Sequence, residues 1–177
     1  MAEGLLRHRL AAIGVDARVH SAGLLFDGRK ASVDAVAVMA DHGIDISGHR
    51  SRKLAAALVS DADLVLGLTR EHVREVALLT PDALTKTFTV KELVRRGEAV
   101  GPRRAGEHLA TWLARARHGR RRTDILGASD DDDVADPIGR SRTFYEGTLK
   151  EVDDLVDRLV ALAFGCDAPD HRARESA

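Results

Sequence analysis

Cysteine is nearly absent from this chain. The single thiol among its 177 residues is Cys166, in Phe-Gly-Cys-Asp-Ala-Pro-Asp near the C-terminus. An intrachain disulfide is therefore impossible, and no cysteine-built zinc or iron–sulfur centre is expected. Acidic residues follow Cys166 and no helix start stands behind it, so nothing activates it as a nucleophile. Its simplest reading is a tail cysteine without a role. Aromatic residues are only 3% of the chain, which leaves Ala, Val, Leu and Ile to build a core from the 44% that is apolar. No apolar run approaches the ~18 residues of a membrane span. The opening Met-Ala-Glu-Gly-Leu-Leu-Arg-His-Arg has none of the apolar stretch of a signal peptide. Charge of one sign is also missing, since 27 Lys and Arg stand against 28 Asp and Glu. Nucleic-acid and membrane-surface binders carry a basic excess, so no nucleic acid and no membrane is expected as a partner, and the location expected is cytoplasmic.

What is present is an alternation of helical and extended patterns. Residues 2–13 predict a helix with Leu5, Leu6, Leu10 and Ile13 on one stripe and Gly14 as its left-handed stop. A strand is expected at 17–21. A second helix over 32–42 starts on Ser32 as N-cap and stops at Gly43. Residues 44–52 read as a polar loop, and 53–60 as a short helix. The near-continuous apolar run at 63–69 suits a parallel strand covered on both faces. Thr69 then caps a helix running to about Leu79, which Pro81 ends. Residues 86–90 read as another strand, 91–96 and 105–117 as helices, and 118–135 as an exposed loop. A long closing helix over 141–164 carries Tyr145, Leu149, Val152, Val156, Leu159 and Ala163 on one stripe, and 166–177 is expected to be a disordered tail. The fold class is α/β: a small parallel sheet flanked by helices on both faces, in one domain over 1–165. Such units open with a strand and this one opens with a helix, so the first strand is expected to be absent.

Several residues have the chemistry of a site. Asp136 precedes Pro137, and a residue before proline is held out of the helical region. Its carboxyl is thus presented on a loop, where it can serve as a general acid; taken alone, Asp-Pro is equally an ordinary turn. Ser21 ends the strand at 17–21 at its C-terminal edge, where open α/β sheets bind ligands. His49 lies in the polar loop between two helices. In isolation each is also an unremarkable turn or loop residue. The basic stretch 115–122 reads as a solvated helix end, nearly cancelled by the acidic stretch 130–133.

Taken together, five segments resemble the low-molecular-weight protein tyrosine phosphatase family, in family order. They are Met1-Ala-Glu-Gly-Leu-Leu, His20-Ser-Ala-Gly23, and His42-Gly-Ile-Asp-Ile-Ser-Gly-His-Arg-Ser-Arg52. The others are Ala62-Asp-Leu-Val-Leu with Thr69-Arg-Glu-His72, and Asp133-Val-Ala-Asp-Pro-Ile-Gly139. The resemblance implies a phosphatase acting on phosphotyrosine in proteins, or on a small aryl phosphate, through a cysteinyl-phosphate intermediate and without metal or cofactor. Asp136 matches the general acid. Ser21 and His49 match residues that brace the phosphate loop, and Arg52 matches a basic position near them. The family also includes arsenate reductases, which need further cysteines downstream, and this chain has none except the tail Cys166.

One departure is large. The family's nucleophile belongs to a Cys-x5-Arg-Ser/Thr loop between the first strand and first helix, where backbone N–H groups and the arginine hold the phosphate. That loop and the central strand before it would lie ahead of Met1. A misplaced start and a genuine truncation, leaving a non-catalytic relic or partner-binding module, both account for this. A sheet without its central strand leaves backbone groups unpaired at about 1–3 kcal/mol each, against about 5–15 kcal/mol for a whole domain. The expectation is thus a misplaced start, and a chain that is poorly folded and inactive as it stands.

Overall fold

The computed structural model describes residues 1–165; the expected tail and Cys166 lie outside the described residues. In chain order the elements are α1 (Ala2–Ala12), α2 (Val33–Asp41), α3 (Ala56–Asp61), β1 (Val65–Gly67), α4 (Arg70–Leu79), β2 (Thr87–Thr89), α5 (Val90–Val100), α6 (Leu109–Arg117) and α7 (Arg142–Ala163). Short 3-10 turns occupy Pro81–Lys86 and Arg122–Ile125.

Two parallel strands form the sheet, with Val65, Leu66 and Gly67 opposite Thr87, Phe88 and Thr89. Successive strand side chains point to opposite faces, and β1 uses both. Leu64, Leu66 and Leu68 pack on the main core, whereas Val65 packs on a second cluster of Val59, Val76 and Ala83. This is the two-sided burial that the apolar run at 63–69 predicts. The backbone of α7 supplies the stripe Tyr145, Leu149, Val152, Val156, Leu159 and Ala163 to the main core, all buried. Trp112 is fully buried against Gly97, where an added Cβ would come within 2.9 Å of the indole Cζ2. The indole N–H donates to the Gly101 carbonyl at 3.0 Å, which meets the requirement of a buried donor for a partner.

Helix starts follow the residues that suit them. The Ser32 hydroxyl accepts from the Ala35 N–H at 3.2 Å, that of Thr69 from the His72 N–H at 3.4 Å, and that of Ser141 from the Phe144 N–H at 3.4 Å. Gly14 closes α1 with φ of 72°, a backbone state that glycine adopts at no steric cost.

Four expectations need correction. Residues 17–21 form no strand; a strand needs a laddered neighbour, and the Val19 carbonyl instead accepts from the Arg7 guanidinium at 2.8 Å. The short third helix begins at Ala56 rather than 53, because Lys53 is held in a bridge to Gly23. Residues 118–135 are not a uniformly exposed loop: Ile125, Asp132 and Val134 are buried. Nor is Arg120 a solvated helix-end residue. Its side chain is 5% exposed and pairs with Glu92 at 2.7 Å, stacks over Phe88 with 4.9 Å to the ring centroid, and donates to the Thr87 carbonyl at 2.9 Å.

Candidate active site

The start of α1 collects two of the residues singled out from sequence. The Ser21 hydroxyl donates to Glu3 Oε2 at 2.5 Å. His49 Nδ1 lies 3.6 Å from the same oxygen, and Arg7, one turn on, pairs with the other oxygen. Ser21 and His49 therefore do not merely sit near one another; they converge on one carboxylate. Burial by itself pushes the Glu3 carboxyl up, but the hydrogen bonds from Ser21 and Arg7 and the positive charges of Arg7 and His49 outweigh it and hold the group below the usual carboxylate range. Sequence reasoning missed Glu3 as a site residue. The available signal was its place in the first turn of α1, where an acidic residue suits the helix dipole and reads as nothing more.

Local packing explains why the His49 loop lies on α1. At Gly4 an added Cβ would meet Met39 Cε and Ile46 Cγ2 at 3.1 Å and Ile44 Cγ2 at 3.3 Å. Only a residue without a side chain lets the loop that follows α2 approach this closely. The Ser21 side is tied to the same loop by backbone bonds. Gly23 N–H donates to the Arg52 carbonyl at 2.8 Å, Leu54 N–H to Gly23 at 2.9 Å, Gly28 N–H to Ser51 at 2.8 Å, and Ser51 N–H to Arg29 at 2.7 Å. Arg52 thus enters the arrangement through its carbonyl. Its side chain is exposed and makes no ion pair among the described residues.

Asp136 stands on a separate loop, exposed, with its Oδ1 accepting from the Ile138 N–H at 2.9 Å. This Asx turn is its hydrogen bond among the described residues; none joins it to Ser21, His49 or Glu3. The loop leading to it is firmly placed. Asp133 Oδ1 accepts the Arg70 N–H at 2.6 Å at the start of α4, where the helix dipole favours a carboxylate. Val134 N–H donates to the Leu68 carbonyl at 2.8 Å, just past β1. Asp132 is gripped by Arg70 Nη2 at 2.7 Å and by Arg95 Nη2 at 2.8 Å. Burial pushes the Asp132 carboxyl up, and these two guanidinium groups bring it below its usual range. The loop that leads to Asp136 is in this way anchored at Leu68, just past the C-terminal end of β1, the side on which open α/β sheets take ligands.

Of the two aromatic residues that follow this loop, Tyr145 is buried and shares a 3.0 Å hydrogen bond with the Ser32 hydroxyl. Phe144 instead lines a hollow of about 370 Å³ with Ala135, Ser141 and Thr148. No group of three or more His, Cys, Asp or Glu among the described residues is arranged to hold a metal. No described helix is long and apolar enough to cross a membrane.

The low molecular weight phosphotyrosine protein phosphatase model matches residues 1–101. The chain belongs to that family. This phosphatase is 36% identical over 121 residues to the low molecular weight protein-tyrosine-phosphatase Etp of Escherichia coli K12, covering 64% of this chain and 78% of that one. It is 29% identical over 160 residues to the protein-arginine-phosphatase of Geobacillus stearothermophilus, covering 90% of this chain and 83% of the relative. Its fold matches the crystal structure of the T. tengcongensis low molecular weight protein tyrosine phosphatase with a TM-score of 0.65 and 31% identity, over 90% of this chain and 86% of that one. The α/β fold class and the phosphatase assignment read from the five sequence segments both stand.

Proposed function

We propose that Asp136 is the general acid and base of this phosphatase and that Ser21 and His49 brace its phosphate-binding end. The convergence of both braces on Glu3 at the first turn of α1 carries this reading. A hydroxyl and an imidazole tied to one half-buried carboxylate fix the start of a helix, and rigidity there is what a phosphate cradle requires. Arg52 adds positive charge at the edge of the same loop.

In the reaction a thiolate attacks phosphorus and the bond to the phenolic oxygen breaks. Asp136 gives that oxygen its proton. As a carboxylate, Asp136 then takes a proton from the water that cleaves the sulfur–phosphorus bond, releasing phosphate. The sequence carries no Cys-x5-Arg-Ser/Thr motif, its one Cys-x5-Arg spacing running from Cys166 to Arg172 and being followed by Ala173, so these residues by themselves are expected to turn nothing over. The substrate is a phosphotyrosine protein or a small aryl phosphate in the cytoplasm, with neither nucleic acid nor membrane as partner. Residues 1–165 act as one domain.

The test joins a strand and a Cys-x5-Arg-Ser loop ahead of Met1 and follows hydrolysis of two aryl phosphates. Turnover should appear, and Asp136→Asn should lower kcat by about 10²–10⁴ for a poor leaving group and by much less for nitrophenolate, which leaves without a proton. Full activity of the variant on both rejects the acid assignment.

A second substrate has an observation in its favour, because the protein-arginine-phosphatase relative spans 90% of this chain. Ile138, two residues past the acid and 74% exposed, is aliphatic rather than aromatic. Parallel assays on phosphoarginine and phosphotyrosine peptides separate the two substrates.

A further inference from the structure

Many arginines of this protein, Arg7, Arg9, Arg70, Arg95, Arg96, Arg115, Arg120, Arg121, Arg142 and Arg158 among them, pair with carboxylates. One strip gathers several cations that do not. Residues 23–30 and 50–54, held side by side by the backbone bonds described above, carry Arg29, Lys30, Arg50, Arg52 and Lys53, all exposed and without an ion pair among the described residues. The Asp27 carboxylate on the strip accepts the Lys53 backbone N–H at 3.3 Å rather than an ammonium. Arg50 reaches the Ser47 and His49 carbonyls, and Arg29 lies over Phe26 with 3.6 Å to the ring centroid.

The register makes this more than a loose collection. Lys30 and Arg50 are directly opposite in an antiparallel bridge. Cross-strand partners bring their Cβ atoms within roughly 5.5 Å, and like charges there destabilise the pairing. The fold maintains that repulsion in a chain whose overall charge is −1, where a carboxylate opposite either residue would have removed it. An anion seated between the two converts the repulsion into attraction. The strip is also continuous with the site: Arg50 follows His49, and Gly23 is two residues from Ser21. Exposed Phe26 and Leu25 lie on it, offering apolar contact beside the charge.

We propose that this strip docks the acidic residues flanking the phosphorylated residue of a protein substrate. The proposal rests on the phosphatase reading for the position of the phosphorylated residue, but the charge recognition itself does not need catalysis. Carboxylates spaced along an extended peptide meet the Lys30–Arg50 pair and the neighbouring cations, which speeds encounter and sets register. A small aryl phosphate has nothing to place there.

The test uses the full chain and a fluorescein-labelled twelve-residue peptide of Glu and Gly around one unphosphorylated Tyr, read by anisotropy at low and moderate salt. The expected result is binding that weakens with salt, falls at least tenfold in Lys30→Glu/Arg50→Glu, and is lost when Gln replaces Glu in the peptide. Arg29→Ala/Lys53→Ala, which adds no new charge to the bridge, should weaken binding by a smaller factor. Equal binding of the Glu and Gln peptides, or undiminished binding by both double variants with unchanged circular dichroism, overturns the proposal. Tighter binding of single-stranded RNA or phosphatidylserine vesicles than of the peptide also overturns it, in favour of that partner. In the chain joined to a Cys-x5-Arg loop, the Lys30→Glu/Arg50→Glu pair should leave aryl phosphate turnover within twofold. Absence of any aryl phosphate turnover there defeats the phosphatase reading and leaves the peptide-binding result to decide the strip.

Discussion

Glu3→Gln isolates what the charge at the brace contributes. The substitution keeps the side chain's shape and one oxygen able to accept from Ser21 Oγ, now at 2.5 Å. It removes the negative charge that faces His49 Nδ1 at 3.6 Å and pairs with Arg7. A hydrogen bond to a charged group contributes about 1.5–3 kcal/mol, against about 0.5–1.5 for a neutral one. The Arg7 side chain is 57% exposed, so its ion pair adds only about 0.3–0.5 kcal/mol. The expected loss is about 1–2 kcal/mol, which for a domain of this size lowers Tm by about 2–8 °C. The pH dependence carries the sharper test. The folded-state Glu3 carboxyl titrates below its usual range, so its stabilisation is fully present above about pH 5 and is lost as pH falls through the ordinary carboxylate value near 4.3 and on to the folded one. Thermal melts of the two proteins, followed by circular dichroism, should differ at pH 7 and converge in acid. A Tm difference that stays constant from pH 7 down to pH 3 would refute the electrostatic account of the brace.

Other variants probe the frame around it. Gly97→Ala places a methyl 2.9 Å from the indole of a tryptophan locked by its own hydrogen bond; calorimetry should show a loss of about 1–3 kcal/mol. Arg120→Ala leaves the buried Glu92 with Arg96 alone, at 2.8 Å, and should cost about 3 kcal/mol in urea titration, while Glu92→Leu/Arg120→Leu costs less than the single change. Tyr145→Phe removes the bond to Ser32 and should cost about 1 kcal/mol. Asp136→Asn, on an exposed loop, should leave the unfolding free energy from urea titration unchanged to within about 0.5 kcal/mol.

The contrast between what the sequence reveals and what it hides follows the range of the forces involved. Ser32 and Thr69 announce their helices because an N-cap bond spans only three residues. The closing helix was legible for the same reason, its stripe being a repeat within one element. Arg120 and Glu92 lie 28 residues apart, and Arg70 and Asp132 lie 62 apart. Composition shows such residues only as local charge, so the stretches 115–122 and 130–133 read as solvated when parts of them are buried. The strand expected at 17–21 has alternation but no laddered neighbour, and pairing is decided outside the segment. Among the proposed site residues, Ser21, His49 and Asp136 are visible through the motifs that contain them. Glu3 is not, because its role exists only once residues 18 and 46 positions away in sequence have been folded against it.

Gly4 ends up governing the histidine from a distance. A methyl at that position would act as a wedge under Ile44 and Ile46, and because His49 rides on the same stretch of backbone, it would tilt the imidazole away from its carboxylate without altering either group. The tolerance of this brace is thus set by the smallest residue in the helix, and damage to it would register as misalignment rather than as missing chemistry.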